Sequence, residues 1–181
     1  MFERINWVGV AAGIVTLVVL VLSFFVPWWQ LTVGDNLLKV NASPVNTNFG
    51  LFGTGFRIPL LTTLNIISTL SLVASAVMML AYSFFPSKPY SKDLLSFSYR
   101  KPLYSLIAFI VGLLIIISFA RAYGFEIPLV GSSKINLPAN FTMGATASVL
   151  VSAGFQFPFW LAIVATALCS FTRLYHGKIA T

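Results

Sequence analysis

Four long apolar runs separated by polar stretches set the pattern of this chain. They cover about Ile5 to Val26, Pro59 to Phe85, Pro102 to Ala122 and Ala145 to Phe171. A helix needs about 20 largely apolar residues to cross about 30 Å of hydrocarbon, and each run is long enough and uncharged in its interior. Lipid offers no partner to backbone polar groups, so each run is predicted to be a helix. The first continues into Phe24-Phe25-Val26-Pro27 without a small-x-small cleavage site, so it is expected to stay as a span.

The stretch between the first two runs, about 27–58, follows another period. Trp29, Leu31 and Val33 alternate with Gln30 and Thr32, as in a half-buried strand. Gly34-Asp35-Asn36 tolerate positive φ and suit a reversal. Leu38 and Val40 then alternate with Lys39 and Asn41, which predicts a hairpin with one apolar face. A lone hairpin is marginal in water, and Asn48 to Phe56 is the expected source of another strand. The loop at about 123–144 holds short apolar pieces at Ile127 to Val130 and Ile135 to Leu137, enough for one short strand or a packed edge. The fold class is thus an all-α membrane protein: a four-transmembrane-helix bundle with a small extracellular antiparallel β-sheet from the first loop. One domain spans 1–181, and a loop at about 86–101 joins the second and third spans.

Composition agrees with this pattern. The 181 residues are 58% hydrophobic and 8% charged, against about 25% charged in soluble domains. The net charge of +7 is dispersed over the loops and reads as orientation, not as a nucleic-acid surface. Arg4, Lys88, Lys92, Arg100, Lys101, Arg173 and Lys178 fall on one side; Lys39, Arg57, Arg121 and Lys134 fall on the other. Basic residues favour the cytoplasmic side. The expectation is a multi-pass plasma-membrane protein with both termini and the 86–101 loop inside, and the loops at 27–58 and 123–144 outside.

A Trp just past the first helix, then a hairpin, then Gly50-Leu51-Phe52 some twenty residues on, resembles the first-loop signature of the claudin and peripheral myelin protein superfamily. Trp29 takes the place of its first Trp, Phe52 that of its Gly-Leu-Trp tryptophan, and Trp29-Gln30-Leu31-Thr32 is similar to its Trp-Arg-Val-Thr. The family closes this loop with a Cys pair; here Gly55 stands where the first Cys falls. The resemblance implies a structural or adhesive role through the outer sheet, with Trp28, Trp29, Leu31, Val33, Leu38, Val40, Gly50, Leu51 and Phe52 as sheet and interface residues.

Candidate chemistry is sparse. One cysteine, Cys169, rules out an intrachain disulfide. One histidine, His176, is expected beyond the last span as a solvated residue. Glu3, Asp35, Asp93 and Glu126 fall one to a loop or terminus, so neither catalysis nor a cofactor or metal site is expected. Gly9 and Gly13 form a Gly-x-x-x-Gly pair that lets backbones approach, within the bundle or between copies. Thr62, Asn65 and Thr69 share a helix face that Ser68, Ser71 and Ser75 extend. That stripe suits hydrogen-bonded packing, a narrow water path, or a quinone or lipid groove. Pro158 is expected to kink the fourth helix or end its first part. Phe155, Phe157, Phe159 and Trp160 around it suit a lipid-facing or partner-facing belt, or an aromatic cofactor box. Asn140-Phe141-Thr142 and Asn41-Ala42-Ser43 are outer glycosylation sequons.

The expected function is a non-enzymatic structural, adhesive or assembly role. The partners are the lipid bilayer and either further copies of the chain or other membrane subunits, with no nucleic acid. An accessory subunit of a respiratory or monooxygenase type of complex, and a small pore or carrier, are the alternatives.

Overall fold

The structure is a computed structural model that describes residues 5–34, 37–122, 124, 126–136 and 148–179. Asp35, Asn36, Leu137, Asn140 and the segment 145–147 of the fourth apolar run lie outside the described residues. Among those described there are four α-helices and six β-strands. In chain order they are α1 Trp7–Phe25, β1 Trp29–Val33, β2 Leu38–Ala42, β3 Asn48–Leu51, β4 Thr54–Phe56, α2 Pro59–Phe84, α3 Ser91–Ala122, β5 Gly131–Asn136, β6 Ser148–Phe155 and α4 Phe157–Ile179. All four helices are long and apolar enough to cross a membrane.

Local chemistry explains where the helices start. The Asn6 side chain accepts from the Gly9 N–H and caps α1. Pro59 opens α2, where a missing N–H and a fixed φ cost nothing. In α3, Pro102 lies inside the helix, so the Ser98 carbonyl four residues earlier loses its helical donor. The Ser75 hydroxyl of α2 donates to that carbonyl at 2.6 Å, in a buried contact. The third helix therefore runs through its proline. It begins at Ser91 rather than near Pro102, and most of the expected 86–101 loop is helical.

The helices form a closed ring in which α1 packs on α2 and α4, and α3 packs on α2 and α4. At one end α1, α2, α3 and α4 enclose Ala12, Met79, Tyr82, Leu95 and Cys169. Nearer the sheet, Val19, Trp28, Phe159, Ala162 and Ala165 form a second core. Gly9 and Gly13 belong to this packing. A Cβ on Gly9 would collide with the Ser83 hydroxyl, and one on Gly13 would lie 2.7 Å from Leu80 Cδ2.

The sheet is antiparallel, with strand order β4-β3-β2-β1-β6-β5. The expected hairpin is present, with Trp29 opposite Ala42 and Val33 opposite Leu38. Two expectations are corrected. Asn48 to Phe56 forms two strands rather than one, and the sheet draws β5 and β6 from the second half of the chain. The fourth apolar run is likewise divided. Ser148–Phe155 is a strand paired with both β1 and β5, and the helix starts only at Phe157. Pro158 thus sits in the first turn of α4, where a proline is tolerated, and does not kink it. Trp29, Leu31 and Val151 on the sheet's inner face bury themselves against Leu113 and Ile117 of α3.

Candidate functional site

The tip of the β3–β4 hairpin is exposed, from Leu51 through Phe56. Leu51 opposes Thr54 across a two-residue turn made by Phe52 and Gly53. Their φ values are +49° and +79°, the left-handed pair of a type I′ turn. Glycine adopts this freely, whereas a bulky L-residue there is strained by about 1–2 kcal/mol. Phe52 carries that strain while 74% exposed, with Leu51 and Phe56 nearly half exposed. Phe49 and Phe56 stack at 5.4 Å between centroids. Every residue of β4 is exposed, and only β3 pairs with this strand among the described residues.

The remaining expected interface residues, Gly50 apart, face inward. Trp28 is 2% exposed; its indole N–H donates to Ser23 Oγ at 2.7 Å and its ring meets Phe109 edge-on at 5.2 Å. Trp29 and Leu31 are buried as well, and the Trp29 indole N–H donates to the Leu129 carbonyl at 2.8 Å. Val33 and Val40 pack against the same cluster, while Leu38 is half-buried in β2 and Gly50 half-buried in β3. Of the nine residues, Leu51 and Phe52 alone offer large apolar surface to a partner.

Behind the tip, the turn at residues 43–47 is wedged between helices. Val45 packs against Leu20 and Leu72. With its amide oriented as the neighbours require, Asn65 donates to the Pro44 carbonyl at 3.2 Å and accepts from the Thr47 N–H at 2.8 Å. The Thr69 hydroxyl donates to the Asn65 carbonyl within α2. The polar face of α2 thus holds the turn through Asn65 and carries the Ser75 contact to α3. Asn41 is half-buried in β2, its side-chain oxygen without a partner among the described residues, and Ser43 of the same sequon is buried.

The opposite end carries a polar network that the sequence does not announce. His176 is buried, contrary to its expected solvation. Its Nδ1 lies 2.9 Å from the Tyr82 hydroxyl, to which the Asn6 amide donates at 3.3 Å. Its Nε2 is buried with no hydrogen-bond partner among the described residues. Only the fit of α1, α2 and α4 brings these residues together. Their one signal in the sequence is a helical phase that puts His176 four residues after Thr172, which is also buried.

Two open grooves lie on the surface. One of about 470 Å³ is lined by Arg121, Glu126, Ile127, Pro128 and Ser133. The other, about 340 Å³, is lined by Asp93, Ser96, Phe97, Arg100, Lys101 and Tyr104. Around the start of α4, Phe159 is core and stacks on Phe155 at 4.2 Å, whereas Phe157 and Trp160 are exposed. Among the described residues, no three His, Cys, Asp or Glu side chains are grouped to hold a metal ion. No family model matches the chain, and no curated protein matches it in sequence.

Proposed function

We propose that this chain is a non-enzymatic integral membrane protein that assembles through the exposed tip and free edge of its sheet, in the manner of claudin-like proteins. Its termini lie in the cytoplasm and the sheet faces outward. The observation that carries this reading is Phe52, a large apolar side chain held in a strained backbone at the turn into the edge strand β4. Isolated soluble tips place Asn or Gly there, and free strand edges are natural pairing templates. Strain retained at an exposed position points to a use for that side chain. Basic residues concentrated at the end away from the sheet support the orientation.

The test is Phe52→Asp, which introduces the favoured Asp-Gly turn. Purified in mild detergent and cross-linked, the native chain is expected to give oligomers, and the variant at least tenfold fewer at unchanged or higher thermal stability. A strictly monomeric native chain with no cross-linked partner overturns the proposal. Mass spectrometry of the cross-linked species separates self-assembly from membership of a larger complex. The latter is the second reading, favoured by the half of α2 nearest the sheet, whose residues 59–71 include none that is fully buried.

A further inference from the structure

The end of the bundle away from the sheet gathers cations around one aromatic ring. Arg100 of α3 places its guanidinium carbon 5.8 Å from the Tyr99 ring centroid, and Arg173 of α4 places its own at 5.9 Å from the same ring. Arg100 Nε also donates to the Tyr99 hydroxyl at 3.3 Å. Arg173 and Lys92 both lie within electrostatic reach of His176. Asp93 is the one acidic residue described at this end. Two like charges held about one ring repel each other, and the ring's π-face offsets only part of that repulsion. The arrangement calls for an anion. Guanidinium forks match the paired oxygens of a phosphate.

The position of the cluster selects the kind of anion. At about 1.5 Å per residue, the 32 residues of α3 extend about 48 Å, well beyond a hydrocarbon core of about 30 Å. Counted back from Ala122, the core is spent near Leu103, so Tyr99 and Arg100 stand at headgroup depth. Arg173 lies sixteen residues into α4, about 24 Å from Phe157, and its long side chain reaches the same level. We propose that Arg100 and Arg173, arranged about Tyr99, form a binding site for the phosphate of an anionic phospholipid at the seam between α3 and α4.

This inference rests on the membrane-crossing reading and not on assembly through the tip. The test is native mass spectrometry of the full chain, released from micelles doped with phosphatidylglycerol or phosphatidylcholine. The native chain is expected to keep phosphatidylglycerol adducts at least tenfold in excess of phosphatidylcholine. Arg100→Gln with Arg173→Gln should lose them at least fivefold. Arg57→Gln with Arg121→Gln, an equal change of charge at the sheet end, should keep them, as should Phe52→Asp. Equal retention of the two lipids, or equal loss in the two double variants, overturns the proposal. So does displacement of the lipid by millimolar orthophosphate, which would mark a site for free phosphate. If the glutamine pair does not fold, Arg100→Lys with Arg173→Lys keeps both charges and removes the forks. It should lose adducts about threefold, and full retention there overturns the site.

Discussion

At the scale of single residues, Pro102 and Ser75 show how one awkward position recruits another. A proline in a helix interior leaves a carbonyl without its donor, and burial makes that costly. Ser75→Ala should therefore destabilise the protein by about 1–3 kcal/mol, the cost of an orphaned buried carbonyl. In a Pro102→Ala background residue 102 regains its N–H, the Ser98 carbonyl has a helical donor, and the same substitution should cost less. Thermal or denaturant unfolding of the four chains closes the cycle; equal costs in both backgrounds would break the link. The sequence shows both residues but not their pairing. Ser75 falls in a polar stripe whose periodicity is plain, whereas the partner of a stripe is chosen by how two helices fit together. The same holds for His176, whose position near the C-terminus suggests solvent until Asn6 and Tyr82 arrive from two other helices.

At the scale of elements, the first hairpin is legible because alternation is unambiguous where one face is wet. Trp29, Leu31 and Val33 do lie inward, and Gln30 and Thr32 do not. β6 escapes because Ser148–Phe155 runs into the apolar start of α4, and a short apolar segment has no periodicity that separates strand from helix. Two signals mark the border all the same: Gly154, and Pro158 at a helix start. The β3–β4 division was hidden in a different way. Three glycines look like interruptions of one strand, whereas Gly53 makes a turn and Gly50 and Gly55 pair across it. β6 has a neighbour on each side, so a lost N–H there disrupts the middle of the sheet. Val151→Ala should cost about 1 kcal/mol in packing. Val151→Pro should cost clearly more and should speed amide exchange of Leu31 to Val33 in β1 at least tenfold. Unaltered exchange in β1 would show that β6 is not its partner.

At the scale of the whole molecule, four long apolar helices and one sheet at a single end follow from hydropathy almost directly. Which end faces the cytoplasm depends on charge bias, and a labelling experiment decides it. Cys169 is buried and should stay silent. In intact cells a membrane-impermeant maleimide is expected to modify Lys39→Cys in β2 at once and Lys101→Cys in α3 only after permeabilisation. The reverse pattern would invert the orientation and move the basic cluster outside. What hydropathy cannot reach is how the sheet is composed from both halves of the chain.

That composition has a consequence for biosynthesis. β1 leaves the ribosome early, yet one of its two neighbours, β6, comes from the last quarter of the chain, and the Trp29 indole bonds to a carbonyl 100 residues downstream. Contacts this distant in sequence are slow to form. Until β6 is made, β1 lacks this neighbour and keeps an edge open to mispairing with other nascent chains. Truncation between Ala122 and Ser148 should leave the first three helices beneath a sheet in which β1 has lost its β6 neighbour.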